Sequence, residues 1–146
     1  PERIMGAAGG VGGARVALDK AVAYASTRKV WKDTPIGAHQ AIAHPLAETW
    51  MEYEQARLML QKACALYDAG HRDAGSAANM AKFAAGEVAV KAADRAIQTH
   101  GGNGMSVEYG LTDLWLGARL IQIAPVSREM ILNHVAQHTL GLPKSY

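Results

Sequence analysis

Apolar residues recur along this chain with the rhythm of helices. Ile42, Leu46, Thr49, Tyr53, Ala56, Leu60, Ala63 and Tyr67 follow alternating spacings of four and three. That is the a/d seam of a helix packed in a bundle. The seam predicts a helix from about Gly37 to Ala69 and Gly70, with Pro45 positioned to kink its first turns. Ahead of it a first helix is expected from Glu2 to about Lys29. Pro1 costs nothing at its start, where a backbone N–H has no helical partner. Lys32-Asp33-Thr34-Pro35 breaks the pattern as a loop, and Gly70-His71-Arg72-Asp73 reads as a turn. A third helix is expected over Ala74 to His100, with Phe83, Val90 and Ile97 on one stripe. A shorter fourth runs from Thr112 to Ile123 and stops before Pro125, which pushes Ala124 out of helical geometry. Ser127 can cap a fifth helix that runs to Leu140, with Glu129 in its first turn, where the dipole favours an anion. No useful stretch alternates with the period of a strand. Three long helices and two shorter ones, joined by short connections, predict an all-α fold. The expected architecture is an antiparallel four-helix-type bundle forming one domain over residues 1–146.

Composition narrows what such a bundle can do. Hydrophobic residues make up 49% and aromatic residues only 6%, so small and aliphatic side chains must fill the core. Fifteen Lys and Arg against 13 Asp and Glu leave a net charge of +2, with no basic stripe interleaved with aromatics. Nucleic-acid binding is therefore disfavoured. Cys64 stands alone, which excludes an intrachain disulfide framework and suits a reducing, cytoplasmic compartment. No apolar run is long enough to span a bilayer. The chain opens Pro1-Glu2-Arg3 without a methionine, as expected of a processed chain or an excised piece of a longer one. The first helix carries Gly6, Gly9, Gly10, Gly12 and Gly13. Each glycine costs a helix up to about 1 kcal/mol relative to alanine. Two explanations fit: close helix–helix packing, or a ligand approaching the backbone along that face.

Several chemistries fail on spacing. His134 and His138 sit at i, i+4 but lack the intervening glutamate of a zinc helix and any nearby cysteine, so they read as surface histidines. Glu48 and Glu52 lack the histidines a di-iron bundle requires. No strand-borne Gly-x-Gly-x-x-Gly and no Gly-x-Ser-x-Gly is present. What survives is a constellation spread along the chain. Glu2-Arg3 opens the glycine-rich helix and Arg28-Lys29-Val30-Trp31 ends it. His39-Gln40, Ala81-Lys82 and Glu87 follow. Then come Gln98-x-x-Gly101-Gly102-x-Gly104, Glu108-Tyr109 and the stretch from Ile123 to Ile131.

In order and spacing this constellation resembles the C-terminal helical domain of acyl-CoA dehydrogenases, and the resemblance covers essentially the whole chain. It implies an FAD-dependent oxidoreductase of fatty-acid β-oxidation. A glutamate removes the α-proton of an acyl-CoA thioester while hydride leaves the β-carbon for FAD. The product is a trans-2-enoyl-CoA, and electrons pass to an electron-transfer flavoprotein. It further implies a homo-oligomer, dimer or tetramer, and an activity that belongs to the full-length flavoenzyme rather than to the isolated domain. Many members carry the base in a Glu-Gly-Thr segment after the fourth helix. Here that segment reads Ala124-Pro125-Val126-Ser127, and Pro125 stands in register with the glutamate. Isovaleryl-type and long-chain-type members instead carry it on the first helix, immediately before an arginine. That match assigns Glu2 as the base and Arg3 as a contact to the acyl-CoA. Carried over in the same way, Arg28 meets the pyrophosphate of a neighbouring subunit's FAD, and Trp31 and Gln40 line the same cofactor. Gln98, Gly101 and Gly102 meet its adenosine half, while Ser127 and Glu129 touch FAD on the other side.

Departures keep other functions in play. Proline has no N–H to donate to a thioester carbonyl. Either Val126 supplies the donor, or a flavin hydroxyl carries more of that load, or the subunit is not catalytic. Leu116-Gly117-Ala118 replaces an Arg-Asp-Ala, Trp31 replaces a phenylalanine, and Glu129 replaces an amide where a carboxylate would repel phosphate. The alternatives are a non-catalytic assembly subunit of a heteromeric dehydrogenase and an acyl-CoA oxidase-like flavoprotein.

Overall fold

The computed structural model describes residues 1–144. Five α-helices carry the fold: α1 (Glu2–Thr27), α2 (Gln40–Asp68), α3 (Ala74–His100), α4 (Leu111–Ile123) and α5 (Arg128–His134). The last continues into a π-helical turn over Val135–Thr139. Short 3-10 turns at Ile36–Ala38, Gly101–Met105 and Val107–Tyr109 join them. Among the described residues no helix is long and apolar enough to cross a membrane.

The core is built on small side chains, and α3 is its axis. The buried line of α1 is Ala7, Gly10, Ala14, Ala17, Ala21 and Ala25, with Leu18 beside it. It faces Ala77, Ala81, Ala85, Val88, Ala92 and Ala96 of α3. Such faces let two helix backbones approach closely. A Cβ added at Gly10 would sit 3.0 Å from the Ala85 carbonyl oxygen. Gly9, Gly12 and Gly13 have nothing within 4 Å of a would-be Cβ. The two explanations for the glycine run thus divide: Gly10 serves packing against α3, and its neighbours leave open space.

The ends of the helices set their directions. Arg3 reaches Asn79 near the starts of α1 and α3, while Tyr24 stacks on His100 near their ends with ring centroids 4.1 Å apart. These two helices run parallel, so α2 returns against them. Tyr109, just before α4, meets the Tyr24 ring edge-on, and Pro125, just after α4, reaches Gly6. So α4 returns as well, giving the antiparallel order expected from the sequence.

Local differences have physical causes. The segment expected as a loop is a two-residue hairpin of β1 (Lys29–Trp31) and β2 (Thr34–Pro35). Its central residues Lys32 and Asp33 take φ 50° and 57°. That is the left-handed turn a tight hairpin prefers, made here without the glycine that usually announces it. Consequently α1 stops at Thr27, and α2 begins at Gln40 rather than Gly37. On α2 the seam is buried at Leu46, Thr49, Tyr53, Ala56 and Ala63, but Tyr67 is exposed. On α3 most of the buried positions are alanines, joined by Asn79, Lys82 and Val88, and Phe83, Val90 and Ile97 are only half-buried. The fifth helix is α-helical only to His134.

Gly104 is the tightest glycine. An added Cβ would lie 2.5 Å from the Ile97 carbonyl oxygen and 2.9 Å from the Ile97 Cα, both backbone atoms that cannot swing away. Gly104→Ala is expected to cost about 1–3 kcal/mol, the usual range for overpacking. Gly102→Ala, with nothing within 4 Å, should stay within about 0.5 kcal/mol. Urea unfolding of the two variants side by side checks both.

Candidate functional site

The first turn of α1, the α4–α5 connection and the first third of α3 converge toward one end of the bundle. Glu2 lies in that first turn with its side chain exposed. Gly6 follows one turn later on the same face, and a Cβ there would lie 3.8 Å from Pro125 Cδ. Arg3 turns toward α3, where its Nη1 donates to Asn79 Oδ1 at 2.6 Å. Asn79 is only 3% exposed, so this amide is a fixed receptor for the guanidinium. Further along the face of Glu2 and Gly6, Gly9 and Gly13 line a groove of about 230 Å³ shared with Leu114, Gly117 and Ile121 of α4.

Lys82 holds this region from beneath. Its side chain is 1% exposed, yet its Nζ donates to the Val126 carbonyl oxygen at 2.5 Å. Burial pushes the ammonium pKa down, and the charge of Glu129 acts in the opposite direction. A buried cation that grips one carbonyl ties the Pro125–Ser127 connection to the centre of the bundle. Ser127 caps α5 as expected, its Oγ accepting from the Met130 N–H at 3.3 Å. Glu129 is exposed in the first turn of α5. Arg128 adds a second tie, to Glu87 of α3 at 3.0 Å.

The other predicted residues lie at the opposite end. Arg28 leaves α1 in extended geometry, φ −69° and ψ 124°, and is exposed. Trp31 stands on the hairpin with 69% of its surface exposed. Gln40 opens α2 and is exposed. Gln98, Gly101 and Gly102 are exposed at the end of α3. Gly101 takes φ 60° and ψ −135°, a conformation reserved for glycine. The Tyr24–His100 stack and the Asn103 Nδ2 donation to Tyr24 Oη at 3.0 Å bring these two helix ends together. At about 1.5 Å per residue, Glu2 and Arg28 lie about 39 Å apart along α1. The ten predicted site residues therefore form two clusters: Glu2, Arg3, Ser127 and Glu129 at one end, and Arg28, Trp31, Gln40, Gln98, Gly101 and Gly102 at the other.

Lys82 and Asn79 carry roles that the sequence reading did not assign. Lys82 had a visible signal. Ala78, Ala81, Ala85 and Gly86 surround it at helical spacing, so its stem had nowhere to lie but in the core. Among the described residues no group of three or more His, Cys, Asp or Glu could hold a metal. The far cluster does fit a dinucleotide cofactor: an exposed guanidinium suits pyrophosphate, an exposed indole can cover a ring, and Gly101 and Gly102 leave open space where a Cβ would project.

Comparison with known proteins shows the family. The family model for the acyl-CoA dehydrogenase C-terminal domain matches residues 1–140. The chain is 59% identical over 147 aligned positions to acyl-CoA dehydrogenase FadE12 of Mycobacterium tuberculosis, covering 100% of this chain and 38% of that protein. A solved glutaryl-coenzyme A dehydrogenase in complex with glutaryl-CoA is 35% identical with a TM-score of 0.92, over 99% of this chain and 36% of that one. The FAD complex of PigA is 32% identical with a TM-score of 0.85, over 91% and 34%. The chain thus spans well under half the length of these relatives. Matched through nearly all of its own length in both sequence and fold, it belongs to the acyl-CoA dehydrogenase family, to that family's C-terminal helical domain.

Proposed function

We propose that this chain is the helical domain of an FAD-dependent acyl-CoA dehydrogenase in which Glu2 removes the α-proton of the thioester. One observation carries the reading. The two places from which the family's base can come, the first turn of the first helix and the connection after the fourth, are neighbours here: a Cβ on Gly6 would lie 3.8 Å from Pro125 Cδ. Proline cannot take a proton, and the carboxylate one turn away can. Moving the base from one place to the other leaves it facing the same space.

The α-proton is barely acidic, so removing it requires donors for the enolate-like charge on the thioester oxygen. We assign that task to the Val126 N–H, because Pro125 has none and the Val126 carbonyl is pinned by Lys82. Arg3, fixed by Asn79, orients the thioester carrier. Glu2 is exposed in this chain. Its strength as a base rises when a bound thioester expels the water around it. FAD, when bound, supplies the hydride acceptor. Arg28, Trp31, Gln40, Gln98, Gly101 and Gly102 would hold it from one end of the bundle, and Ser127 and Glu129 from the other. The 39 Å or so between the two ends exceeds the reach of a single extended dinucleotide. A flavin held by residues of both clusters would be shared between two copies, which supports a homo-oligomer. An apolar groove between α1 and α2, lined by Leu18, Val22, Leu46, Trp50 and Met51, offers a surface for that contact. Glu129 is tolerated near a phosphate because the Lys82 charge lies close to it. The lone Cys64 suits a reducing compartment, and an electron-transfer flavoprotein would take the electrons.

The test is turnover of an acyl-CoA by the flavin-loaded enzyme carrying this chain, first with an artificial electron acceptor and then with oxygen alone. Acceptor-dependent turnover with little oxygen consumption is the expected result. Equal turnover with oxygen alone would make it an oxidase, and no turnover with flavin bound would make it an assembly subunit.

A further inference from the structure

A second cavity, of about 620 Å³, opens beside Arg3, between α2, the first turn of α3 and the π-turn after α5. Its walls carry Arg3, Lys62, Arg72, Asp73, His134 and His138. Three permanent cations there face one carboxylate. Asp73 does not neutralise the others: it meets Arg72 at 3.7 Å on the rim, while Arg3 is satisfied by the neutral amide of Asn79. The two histidines lie with ring centroids 4.7 Å apart. Burial, then the charges of His138 and Arg3, push the His134 pKa down. Three cations against one carboxylate leave the cavity short of negative charge. Gly75 and Ser76 of the first turn of α3 also line it, and no side chain caps that turn. The volume is that of a small-ligand site. The earlier expectation of plain surface histidines is incomplete, since both rings face this space.

We propose that this cavity binds a phosphate group, with Arg3, Lys62 and Arg72 as its cations and the ring N–H groups of His134 and His138 as further donors. Guanidinium forks and a lysine point charge are the side chains suited to phosphate oxygens. An imidazole next to a bound anion gains a proton readily. The phosphate can be free inorganic phosphate or one carried by a nucleotide-bearing thioester carrier such as coenzyme A. The coenzyme A arm rests on the proposed reading of Arg3 as a contact to the thioester carrier; binding of free phosphate needs neither that reading, flavin nor turnover.

Backbone amide NMR of the protein tests it. Sodium phosphate, added at constant ionic strength, should shift Gly75, Ser76 and Ala77 saturably, and chloride should not. Lys62→Gln with Arg72→Gln removes two rim charges from exposed positions and should raise the phosphate Kd about tenfold or more. Coenzyme A acting on the same amides at lower concentration than phosphate would identify the nucleotide as the source, and phosphate acting alone would identify the free ion; either supports the site. Shifts no larger with phosphate than with chloride, or an unchanged Kd in the double variant, would overturn it. Sulfate, which keeps its charge between pH 6 and 8, should bind several-fold tighter at pH 6. The groups facing the histidines are Arg3 from α1, Lys62 from α2, and Arg72 and Asp73 from the turn. Their ordinary pKa values lie outside that window, and His71, 3.7 Å from Asp73, is the other histidine nearby; a slope lost in His134→Gln and kept in His71→Gln belongs to the cavity. A flat sulfate profile would remove the histidines from the site.

Discussion

Glu2→Gln is expected to lower acyl-CoA turnover by about 10²–10⁴-fold, the usual contribution of a positioned general base. Glutamine keeps the shape and the hydrogen-bonding reach of the side chain and removes only its capacity to accept the proton. The loss should fall on kcat and kcat/KM alike, with little change in substrate affinity, because the interaction matters only as the proton leaves. Flavin content should not change. Glu2 is not among the residues assigned to the flavin: Arg28, Trp31, Gln40, Gln98, Gly101 and Gly102 lie at the far end of a 26-residue helix from it, and Ser127 and Glu129, at its own end, are left intact by the substitution. Steady-state assays paired with the flavin absorbance ratio check both parts. Unchanged turnover would remove Glu2 from the chemistry while leaving the fold and the family untouched.

Lys82→Ala is expected to destabilise the protein by about 2–5 kcal/mol, the range for emptying a buried site of this size. Two effects add. The aliphatic stem leaves a cavity among alanines, and the Val126 carbonyl loses its charged donor. Lys82→Met restores most of the volume and removes the buried charge, so it should cost much less. Comparing the two separates packing from the hydrogen bond. The pH dependence gives an independent sign. Burial lowers the folded-state pKa of Lys82 below its unfolded value. The unfolded chain then binds more protons across that interval, and stability rises with pH. This contribution is fully present above the unfolded pKa and is lost as pH falls through the folded one. The wild type should therefore gain stability relative to Lys82→Met as pH rises from 7 toward 10, in urea unfolding at each pH. A parallel pair of curves would mean that the lysine is not desolvated.

These two residues mark what could be read from the chain and what could not. The seam on α2 was legible because large residues at Leu46 and Tyr53 alternate with polar ones, so periodicity reports the buried face. On α3 the helix itself was legible from Ala74 to His100, but its buried face was not, for a physical reason: nearly every side of that helix is covered, and the tightest contacts are made by alanine. The large residues Phe83, Val90 and Ile97 stand beside the core rather than in it. The hairpin was invisible because Lys32 and Asp33 adopt left-handed geometry without glycine. Gln98, Gly101 and Gly102 were legible as a helix end opening onto bare backbone, but only coordinates separate the open Gly102 from Gly104, where Ile97 leaves no room. The approach that matters most for the chemistry, Pro125 toward Gly6, joins residues more than a hundred positions apart, and no local pattern encodes it. Its meaning came from resemblance, and its geometry from the fold.

The most direct test relocates the base. In a Glu2→Gln background, Pro125→Glu puts a carboxylate back at the connection that faces the same first turn of α1. If both positions serve one reaction space, acyl-CoA turnover should recover by about tenfold or more over Glu2→Gln alone, within the span a general base supplies. A double variant that keeps its flavin and turns over no faster than Glu2→Gln would contradict the shared site.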